Sequence, residues 1–220
     1  GWIDIARGIG ILLVVYGHTL SADSFRYIIY AFHMPLFFFL SGLVFTIKPH
    51  ETYKGFIIKN ARNIMIPYIL FALLGFILWY GTRQVSIEQA LFQFGSIFYG
   101  NGNNNLLAFN NLLWFLPCLF ISRIMWFTIT RYMHKAASLT GVLLVLSVLG
   151  YLYSVFLPDL KLFFGIETAL NAVVFLGAGS LFIRHGEEIE HLVKKYFLPV
   201  IFLSGIIFVS GAVANFILYG

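Results

Sequence analysis

Seven apolar runs, each roughly 20 residues long, divide this chain, and nothing between them is long enough to fold by itself. They cover about residues 3–20, 27–47, 64–81, 112–130, 139–157, 162–183 and 197–218. A helix of that length crosses the ~30 Å hydrocarbon core of a bilayer. The runs are too continuous for membrane β-strands, which need about 9–11 alternating residues. Composition agrees. Of 220 residues, 60% are hydrophobic and 10% are charged, whereas soluble domains carry about 25% charged residues. So few charges cannot cover a water-exposed surface, and the 25 Phe suit helices that are apolar all round. The expected fold is an all-α, polytopic transmembrane helix bundle of about seven spans, forming one domain over residues 1–220, with the lipid bilayer as its main partner.

Several classes fall away. The formal charge of +5 comes from short basic clusters between apolar runs, which is how membrane proteins are oriented rather than how nucleic acid is bound. The single cysteine, Cys118, allows no internal disulfide. The opening GWIDIARGIGILL is no secretory signal, because Asp4 and Arg7 lead into a span without a small-residue cleavage site. No pair of histidines has the spacing of metal ligands on one helix, so no metal is expected.

Lys and Arg set the topology. Lys48, Lys54, Lys59, Arg62, Arg131, Lys135, Arg184, Lys194 and Lys195 follow the even-numbered spans. Arg26, Arg83 and Lys161 lie on the other side, and Arg7 and Arg123 lie inside spans. Nine against three places the N-terminus and the even-numbered loops in the cytoplasm. The long loop from Arg83 to Asn111 is then external, and its SIEQALFQFGSIFYG segment reads as a short amphipathic helix on the membrane surface.

Polar groups inside spans are costly and are functional candidates by default. Arg7 and His18 are 11 residues apart on the first run, roughly 16 Å along a helix and close to one azimuth. One helix thus carries a cation toward its inner end and an imidazole toward its outer end. The plainer reading is a snorkelling arginine and a histidine bonded to a carbonyl. His33 precedes Pro35 in the second run, where a kink frees a carbonyl. Glu167 enters the sixth run with Asn171 one turn deeper, and its plainer reading is a hydrogen bond to another helix. At the inner level Lys59 and Arg62 share a helical face by spacing, and Arg123 interrupts an otherwise apolar run. Imidazoles and a carboxylate on one level suit proton transfer; cations on the other suit phosphates. Ser41-Gly42 and Gly177-Ala178-Gly179 read as close helix-packing positions.

In order, ARGIGILLVVYGH, FHMPLFFFLSG, KNARNIMIPY and LWFLPCLF resemble the integral membrane acyltransferase family 3, nearest to its fucose 4-O-acetylase-type proteins. The resemblance covers roughly the whole chain. Arg7 and His18 match the family's motif of a basic residue, ten spacers and a histidine, while Lys59 and Arg62 match its paired basic motif, with Lys replacing the first Arg. The resemblance implies transfer of an acyl group, chiefly acetyl, from cytoplasmic acyl-CoA to a hydroxyl of a cell-surface or lipid-linked carbohydrate, in a bacterial plasma membrane. His18 is then the general base or a transient acyl carrier, oriented by Glu167 or His33. Arg7, Lys59, Arg62 and Arg123 bind the coenzyme's phosphates. Family members have about ten spans, which implies that about three C-terminal helices lie beyond this chain. Two other classes compete: a flippase or transporter of lipid-linked sugar, and a non-catalytic membrane scaffold. A scaffold has no need of cations and imidazoles on one stripe, and a transporter makes no acyl product.

Overall fold

The computed structural model describes residues 1–19, 24–102 and 106–187, together with 191, 195 and 196. Every regular element among them is helical. The helices are α1 (Trp2–Thr19), α2 (Ser24–Leu43), α3 (Tyr53–Asn60), α4 (Ile66–Thr82), α5 (Ile87–Tyr99), α6 (Phe115–Tyr132), α7 (Ala136–Phe156) and α8 (Ile166–Arg184). A π-helical segment, Ala61–Met65, joins α3 to α4, and single 3-10 turns precede α6 and α8. The seventh apolar run lies outside the described residues.

Among the described residues, four helical stretches are long and apolar enough to cross a membrane: Tyr53–Thr82, Asn111–Tyr132, Ala136–Phe156 and Phe163–Arg184. Their outer faces are apolar, with Leu70, Phe71, Leu74 and Ile77 exposed on α4 and Leu144, Val145, Val148 and Leu149 exposed on α7. Such faces belong against lipid, as expected of an integral membrane protein. The first two runs do not join this set. Asp4, Arg7 and His18 load α1 with polar groups, and the apolar helix in the second run, Ile28–Leu43, is shorter.

The third run differs from expectation at its start. The charge pattern predicts a cytoplasmic loop from Tyr53, but the segment is helix that runs unbroken into α4. Thr52 caps it by accepting the Gly55 N–H at 3.1 Å, so Lys54, Lys59 and Arg62 ride on a helical extension. Within it the Ile66 N–H reaches back five residues to the Ala61 carbonyl. Pro67 follows and has no N–H with which to restore the α register. Lys59 and Arg62 are therefore separated by the start of a widened turn rather than by one α-helical turn.

The chain divides into two compact units, residues 1–45 with 175–220 and residues 46–174. In the first, α1 packs on α2 through small residues. A Cβ at Gly10 would press on Phe37, and one at Gly17 on Tyr30. Gly42 and Gly179 bring two backbones together, since a Cβ at Gly42 would fall on the Leu176 carbonyl and one at Gly179 on the Phe39 carbonyl. Both glycines were read from the sequence as packing positions. In the second unit Phe56 stacks on Phe127 with centroids 4.0 Å apart. A further core gathers Tyr68, Ala72, Ile97, Leu107 and Leu113, and the Tyr68 hydroxyl donates to Ile97 O at 2.6 Å. The amphipathic segment is indeed a helix, α5, opened by a Ser86/Gln89 capping box and closed by Gly100 at φ +68°.

The backbone contact at Gly42 sets a test. Gly42→Ala is expected to destabilise by about 1–3 kcal/mol through overpacking, because the Leu176 carbonyl it meets is backbone. Gly95→Ala on α5 meets nothing within 4 Å and is expected to be neutral or stabilising by up to about 1 kcal/mol. Thermal unfolding of the solubilised protein distinguishes the two. An unaffected Gly42→Ala would contradict the close approach.

Candidate active site

In the first unit the site forms at the end of α1. His18 Nδ1 lies 3.1 Å from the Tyr30 hydroxyl, and that hydroxyl donates to Gly17 O at 3.1 Å. The Tyr30 ring is 5.4 Å from the His18 ring and 5.3 Å from the His33 ring, centroid to centroid. His33 is buried, and its Nδ1–H donates to Ile29 O at 2.9 Å. The carbonyl can only accept, so the hydrogen of His33 sits on Nδ1. Among the described residues, nothing is bonded to Nε2 of His18. The structure thus gathers both predicted histidines around a tyrosine that sequence reasoning passed over. A signal existed: Tyr30 is three residues before His33, and such pairs share a helix face. Arg7, toward the other end of α1, pairs with Asp4 at 3.6 Å, with the two side chains 39% and 72% exposed. An ion pair that exposed adds little stability and leaves the guanidinium accessible.

The second unit carries the cations of α3, the π segment and α6. Arg123 Nε donates to Asn60 Oδ1 at 2.7 Å, and Asn60 Nδ2 donates to Phe56 O at 2.8 Å. Asn60 is buried, and its amide orientation is fixed at both ends. Asn60 was missed, although it lies inside the KNARN run, because amides between cations carry no depth signal of their own. Lys59 pairs with Glu51 at 3.6 Å, and Glu51 also accepts the Lys48 N–H at 3.1 Å. Arg131 Nη1 donates to Glu51 O at 3.2 Å, and Arg131 sits in the last turn of α6 rather than in the loop that the charge pattern predicts. Arg62 is exposed, and among the described residues no hydrogen bond or ion pair engages it. A phosphate approaching this face meets Arg62 directly and meets Lys59 only in competition with Glu51.

Glu167 opens α8, where the helix N-terminus favours negative charge. Its Oε1 accepts from Asn101 Nδ2 at 2.7 Å and its Oε2 from the Leu162 N–H at 3.1 Å. Asn101 Nδ2 also donates to Leu162 O at 3.1 Å. Both partners lie outside the helices, so these bonds tie the start of α8 to the segment after α5 and to its own leading turn. Asn171, one turn deeper on α8, packs over Gly150. At the far end of α4, Trp79, Arg83, Gln84, Gln89, Phe92 and Gln93 line a cleft of about 830 Å³. Gln89 and Gln93 are held there by bonds to Ser86 N and Ala108 N. Among the described residues, no cluster of three His, Cys, Asp or Glu side chains is placed to share a metal ion.

The polar residues lie on an apolar, all-helical scaffold, and the family comparison says what class that defines. The family model described as an acyltransferase domain, that of acyltransferase family 3, matches residues 1–219, and the chain belongs to that family. It is a membrane acyltransferase. No match was found among curated proteins or among solved structures.

The Asn60 geometry is testable through stability. Asn60→Leu removes the acceptor that holds the Arg123 Nε in a buried setting, at a cost of about 1–3 kcal/mol. A lowered unfolding temperature in detergent is the expected outcome. An unchanged one would mean that the bond carries no net stability.

Proposed function

We propose that this protein is an O-acetyltransferase that uses cytoplasmic acetyl-CoA to modify a carbohydrate hydroxyl at a bacterial plasma membrane, in the manner of the fucose 4-O-acetylase-type proteins. About seven spans and a cytoplasmic N-terminus complete the reading. The observation that carries it is His18, exposed at the end of α1, with Nδ1 engaged by Tyr30 and nothing described on Nε2. A sugar hydroxyl is a weak nucleophile, and a base of near-neutral pKa must take its proton during attack. In this reading His18 Nε2 takes that proton while the hydroxyl oxygen bonds to the acyl carbon. The carbon–sulfur bond breaks, and the proton passes from His18 to the departing thiolate. His33 supports His18 through the Tyr30 ring. Glu167 serves as an anchor for the segment that follows α5.

The donor's phosphates need cations. Arg62 offers an unengaged guanidinium that can bind phosphate oxygens by paired N–H donors, and Arg123 adds a guanidinium that Asn60 holds at Nε. Arg7 is the cation of α1. Lys59 takes part once a phosphate displaces Glu51. The ~16 Å between Arg7 and His18 along α1 suits a donor whose charged end and thioester are joined by a long arm. The cleft beyond α4 has chemistry for a hydroxyl-rich acceptor: amides of Gln84, Gln89 and Gln93, the Arg83 guanidinium and the face of Trp79.

Mass spectrometry of surface glycans tests the reading in cells that lack the gene, carry it, or carry His18→Ala. The acetyl mass increment is expected only with the wild-type gene, while His18→Ala protein accumulates and unfolds at an unchanged temperature. Acetylated glycans in the His18→Ala strain at the wild-type level would refute the role of His18.

A further inference from the structure

The hydrogen bonds around Tyr30 determine more than its position. A phenol has one hydrogen to give. Tyr30 lies 3.1 Å from Gly17 O, which can only accept, and 3.1 Å from His18 Nδ1. If the hydroxyl hydrogen goes to Gly17 O, the bond to His18 must be donated by Nδ1–H. Neutral His18 then has its hydrogen on Nδ1 and its lone pair on Nε2.

We propose that Tyr30 is the positioning residue of the site: it holds His18 in the Nδ1–H tautomer and so selects Nε2 as the atom that accepts the proton. The inference rests on the reading of His18 as the base. The local structure is built for this contact. Gly17 leaves room at the α1 surface, because a Cβ there would come within 3.1 Å of the Tyr30 ring and 3.4 Å of Ile29. The Gly17 carbonyl lies one residue before His18, so one hydroxyl grips both the backbone and the imidazole of the same turn. On the other side the Tyr30 ring lies against the His33 ring, whose own Nδ1–H is committed to Ile29 O. That bond pins His33 and limits the angles open to Tyr30.

In a catalytic triad the group behind the base is a carboxylate, which sets the tautomer and also stabilises the imidazolium. A phenol performs the first task and only part of the second. Tyr30 accepts from Nδ1–H before and after the proton arrives on Nε2, so no rearrangement accompanies the transfer. Tyr30→Phe keeps the ring and its packing but removes the acceptor, so the imidazole is free to place its hydrogen on Nε2. The effect should fall on turnover, on the order of 10–100-fold, within the ~10²–10⁴-fold that a positioned base supplies. The KM for acetyl-CoA should not change.

The test reads the tautomer directly, on the full-length protein labelled with ¹⁵N-histidine in lipid nanodiscs. The His18 signals are assigned by their loss in His18→Gln. Above the histidine titration range, wild-type His18 is expected to show a protonated Nδ1 and an unprotonated Nε2. In Tyr30→Phe the pattern should invert toward Nε2–H, with the turnover loss above. A wild-type His18 protonated on Nε2 overturns the inference, and this measurement needs no variant that could fail to fold. An Nδ1–H pattern that survives Tyr30→Phe also overturns it. A different result separates the two proposals: if the tautomer is as stated but His18→Gln turns over normally, the reading of His18 as the base is what fails.

Discussion

Hydrocarbon offers no hydrogen bonds, so each polar group carried into the membrane must bring its partner with it. Most of the polar architecture follows from this constraint. His33 is satisfied by the carbonyl one turn before it. Asn60 takes the carbonyl of Phe56 and passes its oxygen to Arg123. Glu167 spends both oxygens on Asn101 and the Leu162 N–H. In each case a helix or a neighbouring segment supplies the missing half of the bond, and the functional group becomes fixed in direction. Among the described residues, Trp126 Nε1 and Ser180 Oγ are the exceptions, buried without a partner.

The same constraint separates groups that are spent from groups that are available. Glu167 has both oxygens engaged, while His18 has one nitrogen engaged and Arg62 has no described partner. Catalysis by proton transfer requires such a half-committed imidazole, held at one nitrogen and open at the other. Phosphate binding requires cations that are oriented but not neutralised. Arg123 meets the first half of that demand, since a neutral amide directs its Nε. Lys59, paired with Glu51, is partly neutralised.

Much of this was legible in the sequence, and what was missed has physical causes. Apolar length foretold the helical membrane scaffold, amphipathic patterning the α5 helix, and small residues in apolar runs the packing role of Gly42 and Gly179. Polar residues in apolar runs singled out His18, His33 and Arg123, because their transfer to hydrocarbon is costly unless a partner or water meets them, and residue type is visible in the sequence. Partners were not legible. Tyr30, Asn60 and Asn101 are ordinary residues until tertiary structure sets them against a histidine, an arginine and a carboxylate. The helix from Tyr53 was hidden because Lys54, Lys59 and Arg62 mark the limit of the apolar run, whereas Thr52 marks the start of the helix. The π segment depends on Pro67 and on backbone register, which hydropathy does not record.

The central claim is that these side chains perform an acyl transfer fed from the Lys- and Arg-rich face. Purified full-length protein in oriented proteoliposomes tests it, with acetyl-labelled acetyl-CoA on one side and acceptor oligosaccharide on the other. The account predicts free coenzyme A on the donor side and label on the saccharide in equal amounts, and only when the donor faces the side bearing Lys59 and Arg62. Saccharide that crosses the membrane unlabelled, with no coenzyme A released, would contradict it and identify a transporter.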